Sequence, residues 1–117
     1  MATELVGNEQ LQRFIRLLAD LNHQSADMLR TGNLSSLTAM NETVEEMYSI
    51  QQNGEEDAYT AIEEEMQGIC KNFNAMVVML KSNDKDAPDA ATSVAVKKFV
   101  RNIFDATVRI VHMYGLA

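Results

Sequence analysis

Proline occurs once, glycine five times and tryptophan not at all in these 117 residues. So few chain-breaking residues exclude a turn-rich β architecture and favour long, uninterrupted helices. Cys70 is the one cysteine, which rules out an internal disulfide. A lone thiol with no export signal points to a reducing compartment, and the expected location is cytoplasmic. Residues 1–10 hold no basic region followed by an apolar run, so no signal peptide is expected there. No apolar stretch approaches the roughly 20 residues that a membrane span requires, so no membrane partner is expected. The glycines, at positions 7, 32, 54, 68 and 115, are too scattered to form a phosphate-binding loop.

What is present is an ordinary globular mixture, 46% apolar and 23% charged, too apolar for a disordered chain. The length suits one domain over residues 1–117, built around one core. Four segments repeat at helical spacing, at about 8–30, 34–52, 56–81 and 88–114. In the first, Leu11, Phe14, Ile15, Leu18, Leu21, Met28 and Leu29 form one stripe, and Gly32 is placed to end it in a left-handed cap. The second uses Leu37, Met40, Val44, Met47 and either Tyr48 or Gln51, and Asn53-Gly54 reads as a helix stop before a new start. In the third, Tyr59, Ile62, Met66, Ile69, Phe73, Met76 and Leu80 alternate by three and four, with Cys70 and Val77 widening the stripe. The fourth starts near Pro88-Asp89 and stops at Gly115. It is apolar over most of its circumference, with polar residues confined to Lys98, Asn102, Asp105, Arg109 and His112. Short connections place consecutive helices antiparallel, so the expected fold is an all-α, up-down four-helix bundle. A homodimer that completes its core with the last helix is the chief variant.

Charge is unevenly placed. Nine acids, Glu42, Glu45, Glu46, Glu55, Glu56, Asp57, Glu63, Glu64 and Glu65, fall between Thr31 and Cys70 with no Lys or Arg among them. Folded as a bundle, this stretch becomes one end of a rod. Glu45, Glu46, Glu55, Glu56, Asp57, Glu63, Glu64 and Glu65 are then expected to gather in an acidic pole, with Arg30, Lys81 and Lys85 towards the other end. Such carboxylates keep a surface solvated. They also make a docking face that speeds encounter with a basic partner and selects by sign. A net charge of −7 is wrong for gripping phosphates, so direct nucleic-acid binding is not expected.

Few residues are spaced for chemistry. Ser82-Asn83-Asp84-Lys85 has the Ser-x-x-Lys spacing of some lysine-activated serines, but it lies in a polar break without a companion motif. His23 and His112 fall on polar stripes. His23 and Asp27 stand one turn apart, yet two ligands do not make a metal site. Asp20 and Arg109, three residues before the histidines, break the Glu-x-x-His pattern of carboxylate-bridged bundles. A histidine phosphotransfer module needs a lysine and a glycine beside its histidine, and Gln24, Ser25, Ala26 and Asp27 supply neither. Cys70 lies beside an apolar stripe and reads as core. No catalytic residue, metal or cofactor is expected.

Seven methionines besides Met1 (Met28, Met40, Met47, Met66, Met76, Met79 and Met113) either fill the core or form a deformable groove for an amphipathic helix. Met79, off the main stripe, and Val96, Val100, Phe104, Val108 and Val111 on the last helix are the candidates for such a groove or for a dimer interface. Together these features point to a non-enzymatic protein-binding module of adaptor, anti-activator or export-chaperone type. Its partner is expected to be another protein with a basic or amphipathic-helix surface. The alternative is an acidic inhibitor that imitates nucleic acid, as some phage-encoded antagonists of host defence do; a small enzyme or phosphorelay module ranks last. Four amphipathic helices with an acidic isoelectric point resemble the general make-up of small secretion and flagellar chaperones, a likeness of architecture that no motif carries.

Overall fold

The computed structural model describes residues 9–32, 34–54, 57–82 and 90–116. Among them are five α-helices and no strand: α1 (Glu9–Thr31), α2 (Leu37–Asn53), α3 (Asp57–Ala61), α4 (Glu63–Lys81) and α5 (Ala90–Met113). A 3₁₀ turn, Leu34–Ser36, leads into α2. None of these helices is long and apolar enough to cross a membrane. Pro88 and Asp89, the expected start of the last helix, lie outside the described residues.

The apolar stripes meet as predicted from their spacing. Phe14, Leu18 and Leu21 of α1, Met40 and Met47 of α2, Tyr59 of α3, Met66, Ile69 and Met76 of α4, and Ile103 and Ile110 of α5 are buried together with Ile62. Each large side chain withdrawn from water contributes about 1.5–3 kcal/mol. The whole is opposed by chain entropy of similar size, so the loss of any one is felt. Five of the seven candidate methionines, Met28, Met40, Met47, Met66 and Met76, are in this core, whereas Met79 and Met113 are exposed. The helix ends also follow the sequence. Gly32 has φ +71° and its N–H bonds to Met28 O at 2.8 Å. Gly115 has φ +69°, and Leu116 N–H reaches back to Val111 O at 3.0 Å, the backbone pattern of a glycine-terminated helix.

The expected third helix is broken. At Ile62 (φ −107°, ψ 12°) the backbone departs from helical dihedrals and α4 begins afresh, with Met66 N–H bonding to Ile62 O at 2.9 Å. The Ile62 N–H also turns to Tyr59 O at 3.3 Å, tightening the end of α3. The Ala58 carbonyl accepts a hydrogen bond from the Tyr114 hydroxyl at 3.0 Å. A side chain from the turn after α5 thus reaches the last turn of α3. Burial and the neighbouring Tyr59 push the Tyr114 phenol well above its ordinary range, so the donating proton is held.

Side-chain contacts fix how the helices run. Arg13 pairs with Glu46 between α1 and α2. Asn22 donates to Thr107 at 2.9 Å between α1 and α5, and Phe14 meets the Tyr114 ring at 6.5 Å further along the same seam. Glu65 binds Arg109, and Asn102 donates to Asn72 at 3.0 Å, between α4 and α5. In both seams involving α5, early residues of one helix meet late residues of the other, so the pairs are antiparallel. α5 packs closely on both α4 and α1, and α1 packs on α2; the α2–α4 seam is the least closed of the four. The molecule measures 49 × 25 × 20 Å. Two buried hydroxyls are partnered: Thr107 accepts from Asn22 across the α1–α5 seam and donates to Phe104 O, and Ser25 donates to Leu21 O within α1.

Candidate functional site

The loosely closed seam opens into a groove of about 440 Å³ between α2 and α4. Asn41, Val44, Glu45 and Tyr48 line it from α2, and Gln67, Cys70, Phe73 and Asn74 from α4. The apolar stripes of the two helices face the core, and the residues one step off each stripe border the seam. Val44 and Phe73 form a buried floor, Tyr48 is 43% exposed, and Glu45 stands exposed on the rim. From Asn41 to Tyr48 is two helical turns, about 10 Å. Asn41, Gln67 and Asn74 place side-chain amides along the groove, Asn41 donating to Glu45 Oε1 at 3.4 Å. Cys70 is half-buried, and burial pushes its thiol up from the ordinary range. With so little thiolate near neutral pH it is a poor nucleophile. We expect a disulfide reagent to label Cys70 several-fold more slowly in the folded chain than in urea between pH ~7 and ~9. Equal rates in the two states would show that the thiol is not sheltered.

No protein-family model, curated protein or solved structure matches this chain.

The predicted acidic residues are only partly gathered and partly neutralised. Glu55 and Glu56 lie outside the described residues. Glu45, Asp57, Glu63 and Glu64 are exposed. Glu46 is paired with Arg13, and Arg109 Nε donates to both oxygens of Glu65 at 3.0 and 2.9 Å. Antiparallel packing returns the start of α1 and the end of α5 to the end that holds the α2–α3 connection. Arg13 and Arg109 therefore stand among the acids that linear sequence places far from any base. These exposed pairs contribute at most about 1 kcal/mol each. Glu63, Glu64 and Glu65 also have a local cause: they fill the first turn of α4, where negative charge is favoured by the helix dipole and the Ile62 cap supplies no side-chain hydrogen bond.

The apolar set predicted for a groove or dimer face does not form one surface. Val96 and Val100 are 5% and 1% exposed on the α5 face turned towards the other helices, where they line a second hollow of about 250 Å³ with Met28 and Leu34. Val111 is half-buried against that core, Phe104 and Val108 are half-buried, and Met79, 37% exposed, belongs to α4. The wide apolar face arises because α5 packs on α1 and α4 at once and needs apolar residues on two sides. Its narrow polar stripe is also partly engaged, since Asn102 and Arg109 bind α4. His23 and His112 are exposed, and among the described residues no three His, Cys, Asp or Glu side chains are grouped to hold a metal.

From sequence, Cys70 and Phe73 read as core and Tyr48 stays open, so the groove they share is missed. The available signal is the widening of the third stripe at Cys70 and Val77 opposite the alternative Tyr48 or Gln51. Structure separates that alternative: Gln51 is buried and Tyr48 is on the rim.

Proposed function

We propose that this chain is an up-down four-helix bundle serving as a non-enzymatic protein-binding module of adaptor, anti-activator or export-chaperone type, working in the cytoplasm. Its partner is a basic amphipathic helix that inserts an apolar anchor between α2 and α4. The observation that carries this reading is the groove itself, an apolar floor of Val44 and Phe73 beneath an exposed Tyr48 and the Glu45 carboxylate. Its volume of about 440 Å³ suits a small ligand or an anchoring side chain. A net charge of −7 with exposed Glu42, Glu45, Glu63 and Glu64 complements a basic partner and accelerates encounter. The methionines support a packed core more than a deformable groove, since none borders this one. Nucleic-acid mimicry is the weaker reading, because the Glu46 and Glu65 ion pairs interrupt any array of free carboxylates.

A designed leucine–lysine peptide, titrated into isotopically labelled protein and followed by amide shifts, tests this. Shifts should centre on Asn41, Tyr48, Gln67, Cys70 and Asn74, and Tyr48→Glu should weaken binding by roughly ten-fold, as loss of an aromatic contact at an interface does. Raising salt from about 0.05 to 0.5 M should weaken binding while leaving the same residues shifted. Shifts confined to exposed carboxylates and abolished by salt would leave only non-specific attraction and sink the groove reading.

A further inference from the structure

The join between α3 and α4 is one residue, Ile62. α3 has five residues, well short of the length at which an isolated helix holds itself together. Asp57, Thr60 and Ala61 face solvent. Two side chains seat the segment in the core, Tyr59 at 1% exposure and Ile62 at 0%. Its carbonyls reach the rest of the molecule through side chains: Tyr114 donates to Ala58 O at 3.0 Å, and Gln51 reaches Tyr59 O at the long distance of 3.5 Å.

The donor at Ala58 comes from a residue 56 positions away. Its place depends on the end of α5 being docked. Tyr114 N–H bonds to Ile110 O at 2.9 Å, and the positive-φ Gly115 closes the turn through His112 O at 3.0 Å. Phe14 stands between the two tyrosines, its ring edge-on to Tyr59 at 5.7 Å and to Tyr114 at 6.5 Å.

We propose that Tyr114 is the clip of a local opening unit, in which α3 and the turn after α5 release together from the end of the core while α1, α2, α4 and the body of α5 stay folded. Helical continuity is already lost at Ile62, so α3 can swing without unwinding α4, whose own hydrogen bonds begin at Met66 N–H. The Ala58 carbonyl, in the last turn of α3, is held by a side chain on another element. Breaking that one contact frees the Ala58 carbonyl and one face of Phe14 together. Exposed Asp57, Glu63 and Glu64, close in sequence around the break, repel one another and favour release. Opening uncovers the edge of the Phe14 ring that Tyr59 and Tyr114 meet. This device stands on the α3 geometry and not on the α2–α4 groove.

Native-state hydrogen exchange, read amide by amide on the full chain, tests it. Tyr114→Phe keeps the ring and removes the donor, and it should speed exchange at Ile62 about five-fold, the factor for one hydrogen bond of roughly 1 kcal/mol. Exchange at Leu21 and Ile103, in the middle of α1 and α5, should stay unchanged, and so should exchange at Ile62 in the control Met113→Ala. In the unaltered chain, the Ile62 and Tyr114 amides should show the same small dependence on low urea, well below that of Leu21, because a local opening exposes little surface. Equal acceleration at every amide would make Tyr114 a general stabilising residue and overturn the clip. No acceleration at Ile62, or a urea dependence there matching Leu21, would overturn it as well.

Discussion

Gly54→Ala should lower stability by about 3 kcal/mol, a loss read by urea unfolding and as a fall in Tm of roughly 10–15 °C. The reason is space and not dihedral freedom. Gly54 has φ −84° and ψ 147°, an extended conformation open to any residue. A Cβ added there falls 2.0 Å from Cε2 and 2.2 Å from Cδ2 of Tyr59, inside a ring that is itself only 1% exposed. The methyl and the ring cannot share that volume. Displacing Tyr59 forfeits most of the ~1.5–3 kcal/mol of its burial and its edge contact with Phe14. Alanine also lowers the entropy of the unfolded chain, but by only ~0.4–1 kcal/mol, which does not offset the clash. Gly68 provides the contrast. It lies within α4, and a methyl added there would meet nothing within 4 Å, so Gly68→Ala should stabilise by up to about 1 kcal/mol. A double-mutant cycle of Gly54→Ala with Tyr59→Ala should show coupling of about 2 kcal/mol, because once the ring is gone the methyl has room. A Gly54→Ala chain within ~0.5 kcal/mol of the parent would mean that the ring does not lie against this glycine.

Phe14→Ala should cost about 3–5 kcal/mol in the same unfolding assay, the usual range for removing a buried aromatic ring. Phe14 is fully buried, and it is the ring that both Tyr59 and Tyr114 meet edge-on. Its removal leaves a void at the junction of α1, α3 and α5, where three elements would have to shift to close it. Phe104→Ala, at a half-buried position on α5, should cost only about 1 kcal/mol, in line with its smaller burial. Comparable losses for the two would mean that the outer face of α5 carries as much packing as the aromatic junction, contrary to the burial pattern.

The two residues also show what can be read from the chain alone. Phe14 is legible, since it sits on a stripe with Leu11, Leu18 and Leu21 whose spacing fits only a helix with one buried face. The stops at Gly32 and Gly115 are legible for a similarly local reason: a left-handed residue closes a helix, and glycine adopts it at no steric cost. Gly54 reads as a stop of the same kind, and the real constraint, an approaching ring from five residues on, has no signature in local sequence. Ile62 is hidden as well. It keeps perfect register with Tyr59 and Met66, so the apolar pattern runs straight through a backbone break beside the Tyr114–Ala58 contact.

The candidate site divides in the same way. Sequence identifies the acids and the breadth of the apolar face on α5, but it locates both in one dimension. Antiparallel packing carries Arg13 and Arg109 back to Glu46 and Glu65, and it turns Val96 and Val100 inward. The groove arises where α2 and α4 fail to close, a matter of how the whole set of helices packs rather than of any one stripe.

By itself, then, the sequence determined the helical class, the positions of the helices to within a few residues, the glycine-capped ends and most of the core. Each of these follows from local periodicity and backbone sterics, which act over a turn or two. Only the tertiary structure decided the break at Ile62, the need for glycine at 54, the neutralised acids and the groove beside Cys70. Those depend on which distant residues come within a few ångströms of one another, and linear order does not encode that distance.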